Sequence, residues 1–155
     1  MPEFRLGEYM SRDVFVQDLP KGAQSTLDIP DDFTPGTLGA RAWILALIAE
    51  AGPFADFTDP AWVCIDSHEA VLGINLGKED PVRSFAFHIH GGAQVVGLVA
   101  DILAKLGLRA LDPCSDTGIF DPATTVESLR RSQAFRDSIT SAGALELQRQ
   151  PSAQT

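Results

Sequence analysis

The chain has 155 residues, the size of one ordinary domain and enough to bury a core without disulfides or metal ions. Apolar residues make up 45% of it and charged residues 21%, as in globular proteins, which excludes wholesale disorder. The net charge of -9 argues against binding to nucleic acid or an anionic membrane, because both attract basic surfaces. Such an acidic surface favours solubility or a basic protein partner.

Neither the cysteines nor the apolar segments of the chain indicate an oxidising compartment or a membrane. Its two cysteines, Cys64 and Cys114, do not form a Cys-x-x-Cys motif or a disulfide framework. Residues 1–9 lack the apolar run of a signal peptide, and no segment is apolar enough to predict a membrane span. We therefore expect a cytoplasmic protein. Residues 1–12 are interpreted as a leader or a disordered segment, because Met10 could also serve as a start.

The first predicted elements are a strand and a helix. Residues 13–19 alternate like a strand, with Val14 and Val16 on one face. Apolar residues at helical spacing predict a helix over 38–51, with Thr37 as its N-cap and Trp43 in the core. A Gly-Pro pair follows and ends the helix.

Three strands come next along the chain. They are predicted over residues 61–66, 69–76 and 82–90, and the first two flank Ser67-His68 as a two-residue turn. A second helix over 93–106 buries seven apolar residues and ends at a glycine. A last short strand is expected over 108–111.

The element order β-α-β-β-β-α-β-α favours an α+β fold. We expect a two-layer domain over residues 13–121, an antiparallel sheet with two helices packed on one face. Thr124 and Glu127 have the spacing of a capping box and predict a C-terminal helix over 122–140. Residues 141–155 are rich in Gln, Ser and Ala and are predicted to be disordered.

The most informative segment is the predicted strand SFAFHIH at 84–90, which runs into Gly91-Gly92. Successive strand side chains point to opposite faces, so the two phenylalanines and the isoleucine take the core face. His88 and His90 take the other face, which the helices leave open. If Ile74 pairs with Phe85, Glu69 lies opposite His90.

The same register places Asp66 opposite Glu69 and leaves Trp62 exposed on the open face, with Val63 and Ile65 facing the core. An exposed aromatic residue on such a face is typical of a binding surface. The candidate binding residues are therefore Trp62, Asp66, Glu69, His88, His90, Gly91 and Gly92.

Three interpretations fit this cluster. His88 and His90 with a nearby carboxylate have the donors of a metal site. Alternatively, the backbone amides of Gly91-Gly92 at a helix N-terminus bind an anion, although the Lys-Ser/Thr of a nucleotide-binding P-loop is missing. The third interpretation, a cross-strand Glu69–His90 pair on a solvated face, is favoured because such spacings are common. We assign no catalytic residue, no metal ligand and no cofactor.

Several short segments resemble a group of small, uncharacterised bacterial cytoplasmic proteins. They are FVQDLP at 15–20, IPDDF at 29–33, FAFH at 85–88 with its glycine pair, and GLRALD at 107–112. The resemblance covers about residues 13–121 and implies that the C-terminal helix and tail are additions. Members often carry Arg where this chain has His90, which implies that His88 is the more informative histidine. The group brings no established activity.

Two functions of different classes remain open. The leading hypothesis is a non-enzymatic protein that binds a basic protein through the open face and its acidic rim, as an immunity-type inhibitor does. The alternative is a small enzyme or ligand sensor in which His88 and the Gly91-Gly92 turn bind an anionic group. An open sheet face would also suit a homodimer.

Overall fold

The computed structural model describes residues 11–67, 70–128, 130, 131 and 139. The strands are β1 Ser11–Gln17, β2 Trp62–Ser67, β3 Ala70–Asn75, β4 Ser84–His90 and β5 Ala110–Leu111. The helices are a short 3-10 helix Thr26–Asp28, α1 Arg41–Ala51, α2 Ala93–Leu106, and α3, which includes residues 122–128. No helix among these residues is long and apolar enough to cross a membrane.

The strands form one antiparallel sheet in the order β2-β3-β4-β1-β5. Both α1 and α2 contribute buried residues to the core on one face, among them Ile44, Ile48 and Val99. The strands supply the opposing residues of that core, for example Val14 and Phe87. The predicted α+β fold with two helices on one face of an antiparallel sheet is confirmed.

Helix α2 begins and ends where the sequence predicts. Its apolar stripe is buried, and Gly107 follows it at φ 66°, the left-handed conformation that favours glycine. The Gly107 amide donates to the carbonyls of Leu103 and Ala104, two of the last carbonyls of the helix. Strong amphipathicity and a glycine cap together made this element predictable.

Helix α1 differs from the prediction at its first turn. It begins at Arg41, after Ala40, and Thr37 does not cap it. Trp43 is 43% exposed, so its predicted place in the core was wrong. The indole instead packs on the backbone at Gly39, where a larger residue would have no room: a Cβ there would lie 3.0 Å from Trp43 Cε3.

The predicted strand register was wrong by two residues. Ser67 pairs with Ala70 and therefore belongs to the strand, not to a turn. As a result, both Asp66 and His90 lie opposite Val71, and neither lies opposite Glu69. Because side chains alternate with a period of two, this displacement leaves the described residues of these strands on their predicted faces.

The start of the first strand differs from the prediction, whereas the C-terminal helix starts at the predicted residue, 122. Ser11 and Arg12 belong to β1, so the ordered sheet starts before residue 13. Helix α3 starts at 122, where Asp121 Oδ1 accepts from the Ala123 amide at 3.0 Å; Thr124 is therefore not its cap. Residues 129, 132–138 and 140 of the predicted helix, and the predicted tail 141–155, lie outside the described residues.

A buried ionic cluster ties β1 to the segment after β5. Asp112 is fully buried, with its Oδ1 3.7 Å from Arg12 Nε. The same carboxylate accepts from the Cys114 amide at 3.0 Å and from the Thr125 hydroxyl at 3.3 Å. Arg12 also donates to Ser128 Oγ at 3.2 Å, so this cluster fixes α3 against the sheet.

Candidate binding surface on the open sheet face

The open face is the side of the sheet that α1 and α2 leave uncovered. Strand pairing and alternation assign fifteen side chains of the described strands to it. They are Ser11, Asp13, Phe15, Gln17, Trp62, Cys64, Asp66, Val71, Gly73, Asn75, Ser84, Ala86, His88, His90 and Leu111. This set contains two carboxylates and no lysine or arginine.

Trp62 lies flat against His88 on this face. The two ring centroids are 5.0 Å apart and the planes are inclined by 21°. Trp62 is 44% exposed while Val63 is fully buried, which confirms the predicted orientation of β2. The indole passes over Gly73, where a Cβ would lie only 3.2 Å from Trp62 Cζ2. Gly73 therefore provides the room that this stacked arrangement requires.

The other side of His88 is held by Asp13, which lies directly opposite it on β1. His88 Nδ1 is 2.7 Å from Asp13 Oδ1, and since a carboxylate only accepts, Nδ1 carries the proton. The second nitrogen, Nε2, is buried without a hydrogen-bond partner among the described residues. Sequence reasoning missed Asp13: alternation assigns it to this face, but only the strand order brings it to His88.

The remaining predicted site residues do not join this group. His90 is partly buried between Val71 and Ser11 in the neighbouring strands, and Asp66 is exposed near the end of β2. Gly91 and Gly92 lead into α2, which packs on the opposite face of the sheet. Glu69 lies outside the described residues.

The described residues offer no ligand set for a metal ion. No three His, Cys, Asp or Glu side chains among them lie close enough together to bind one. His88 and His90 share a face but occupy different rows, opposite Gly73 and Val71 respectively. The metal interpretation therefore has no support from this part of the chain.

Cys64 is the one thiol on the open face, in the same row as His88. Gly73 lies between them in the sheet. Burial raises the pKa of the Cys64 thiol above its ordinary value, and the carboxylates of Asp66 and Asp56 raise it further. The thiol is therefore protonated near neutral pH, which disfavours a role as nucleophile.

A shallow trough crosses the open face next to the Trp62–His88 stack. It has a volume of ≈ 460 Å³, and Ala86 forms part of its floor. Its walls include Phe15, which is 41% exposed, and Leu111. The sequence did not predict it, because it depends on the strand order β4-β1-β5.

Both outer strands of the sheet have backbone partners outside the sheet. On β2, the Cys64 amide and carbonyl bond to Asp56. On β5, the Ala110 carbonyl accepts from the Phe120 amide. These bonds leave less of either edge free for strand addition, so the open face is the more accessible surface for a partner.

Comparisons of the chain with protein-family models, curated proteins and solved structures find no match. The resemblance carried by the FVQDLP and GLRALD segments therefore stays a prediction.

Proposed function

We propose that this chain is a non-enzymatic cytoplasmic protein that binds a basic protein partner through its open sheet face. An immunity-type inhibitor of a basic toxin domain is the most concrete form of this function. The observation that carries the proposal is the composition of the face: two half-exposed aromatic residues, Trp62 and Phe15, beside carboxylates and without lysine or arginine.

Aromatic residues held in fixed orientations are typical anchors of protein interfaces. Trp62 is fixed by its stack on His88, so little side-chain entropy is lost when a partner covers it. Asp13 is 49% exposed and Asp66 is also exposed, so both carboxylates face an approaching partner. Together with the net charge of -9, they favour fast association with a basic surface.

The test is capture of partners from the source cell's lysate at low and high salt. We expect the wild type to retain a basic protein stoichiometrically, and to retain less of it as salt screens the charges. A variant carrying Trp62→Ser, Asp13→Asn and Asp66→Asn is expected to lose it. The matched control carries Glu50→Gln and Asp101→Asn, which are exposed on the helical layer and should retain it.

Retention of the same protein by the triple open-face variant would contradict the proposal. So would a retained partner that is acidic, or one whose binding is insensitive to salt. A partner lost equally from the control variant would assign binding to the net charge of the chain and not to this face.

One observation favours the alternative of a small enzyme or ligand sensor: the Asp13–His88 hydrogen bond is the arrangement that orients a general-base histidine. Against it, Nε2 is buried and the Cys64 thiol is not activated. The alternative predicts that inorganic phosphate or a carboxylate raises the melting temperature of the wild type and not of His88→Ala. Equal shifts, or none, would rule it out.

A further inference from the structure

We propose that the trough beside the Trp62–His88 stack binds an uncharged apolar side chain of the partner, and that the partner places a basic residue two positions along the same extended segment. This inference rests on the proposed function and specifies the chemistry of the partner. It concerns a part of the open face that the sequence did not identify as a site.

The lining of the trough excludes a charged ligand. None of the ten residues that line it is charged, although charged residues make up 21% of the chain. Burying a partner's charge against such a lining would cost free energy, whereas burying an apolar side chain is favourable. The lining is Phe15, Gln17, Asn75, Leu76, Gly77, Ser84, Phe85, Ala86, Leu111 and Pro113.

The polar members of the lining are neutral and suit a peptide backbone. Asn75 accepts from the Gly77 amide through Oδ1 at 3.2 Å, which leaves its NH₂ group as a donor. Gln17 and Ser84 lie opposite each other on β1 and β4 and supply both donors and acceptors. An extended segment has unpaired backbone groups that such side chains can bind.

The distance between neighbouring rows of side chains on the open face predicts the spacing of the apolar and basic residues in the partner's segment. Phe15 and Ala86 form one row, and Asp13 and His88 form the next row, two residues along each strand. Rows two residues apart are about 7 Å apart, which is also the distance between side chains i and i+2 of an extended peptide. An apolar residue in the trough therefore places the residue two positions away at Asp13, where a lysine or arginine is favoured.

The experiment is selection of random linear peptides displayed on phage against the immobilised full chain, after depletion on the empty support. In the test variant Ala86→Leu, the leucine side chain fills the trough without changing charge. The control variant is Ala104→Leu, an exposed alanine on α2 in the helical layer. We expect enriched peptides to carry an apolar residue two positions from a lysine or arginine. Binding should fall about tenfold or more with Ala86→Leu and stay unchanged with Ala104→Leu.

A second variant, Phe15→Thr, tests the trough independently in case Ala86→Leu does not fold. It replaces the exposed aromatic side chain of the trough by threonine, which favours strands. Binding of the same peptides should become weaker. No enrichment, peptides without the apolar–basic spacing, or peptides that bind both variants like the wild type would overturn the inference. A dimer of the wild type that Ala86→Leu dissociates would also overturn it, since the trough would then bind a second copy.

These outcomes are separable from those of the proposed function. The triple open-face variant could lose a basic partner that Ala86→Leu still binds. This result would support the proposed function and show that the trough does not take part in it. Selected peptides with the apolar–basic spacing, in the absence of any captured protein, would support the trough independently.

Discussion

The indole of Trp62 and the imidazole of His88 are stacked across two strands, and the residue beneath the indole is Gly73. Trp62 belongs to β2 and His88 to β4, so their contact spans the intervening strand β3. A side chain at position 73 would stand in this gap. Glycine at position 73 leaves room for the indole to lie flat on His88, and this fixed orientation is what the proposed binding role of Trp62 requires.

Substituting Gly73→Val is expected to lift Trp62 off His88. The first added carbon alone would lie 3.2 Å from the indole, and the branched side chain fills more of the gap. In a Trp43→Phe background, where Trp62 is the one remaining tryptophan, we expect red-shifted fluorescence and stronger acrylamide quenching. The control Gly92→Val adds the same side chain at a glycine where nothing lies within 4 Å of a Cβ. An unchanged emission in Gly73→Val would contradict the stacked geometry.

The neutral form of His88 is expected to carry its proton on Nδ1. Asp13 accepts that hydrogen bond, and a neutral imidazole has one N–H. Nitrogen-15 NMR of the ring distinguishes the tautomers directly. In Asp13→Ala the preference should be lost, at a cost of about 0–1 kcal/mol in the free energy of unfolding because the pair is partly exposed. A proton found on Nε2 in the wild type would disprove the hydrogen bond.

Asp112→Ala is expected to be among the most destabilising substitutions in the chain. It leaves Arg12, whose side chain is 9% exposed, without its carboxylate partner and frees the Thr125 hydroxyl. Breaking a buried pair in this way costs about 3–5 kcal/mol. Urea denaturation measures the loss, and the exposed Asp116→Ala provides the matched control. Equal stability of the two variants would show that the buried cluster contributes little.

The two cysteines are expected to differ in their reaction with iodoacetamide. Cys114 is exposed, whereas the pKa of Cys64 is raised by burial and by the nearby carboxylates of Asp66 and Asp56. Because the thiolate is the reactive form, Cys64 should react more slowly near neutral pH and accelerate only in alkaline solution. Asp66→Asn removes one carboxylate, so it should lower the pKa and speed the reaction of Cys64. Mass spectrometry of the alkylated peptides tests this order.

The raised pKa of Cys64 also predicts how the stability of the protein changes with pH. A raised pKa in the folded state means that the unfolded chain releases the thiol proton at lower pH. The contribution of Cys64 is therefore complete below the ordinary pKa of a thiol and is lost as pH rises through the raised value. The variant Cys64→Ala should lose less stability than the wild type over that alkaline range in urea denaturation at successive pH values.

Local patterns were enough to predict part of this molecule. Helix α2 was predictable because seven apolar residues repeat at helical spacing before a glycine cap. The outward orientation of Trp62 followed from alternation in β2, which an error of two residues in register does not change. The position of Trp43 was not predictable in this way, because its packing depends on the backbone at Gly39.

The contacts of the candidate surface depend on strand order, which no local pattern encodes. Asp13 reaches His88 because β1 lies beside β4, and the trough exists because β5 follows β1 in the sheet. Arg12 finds Asp112 for the same reason. These contacts join residues far apart in the chain, so alternation could assign each one to a face without identifying its neighbour.

The position of β1 also determines when the domain can fold during synthesis. This strand leaves the ribosome first among the described elements, yet it lies between β4 and β5, the last two strands to be made. Its pairing partners at residues 84–90 and 110–111 do not exist while β2 and β3 are being translated. A nascent chain halted after β3 therefore holds β1 unpaired, with Val14 and Val16 still uncovered. The sheet is completed only after β5 has been synthesised, as a fold dominated by long-range contacts requires.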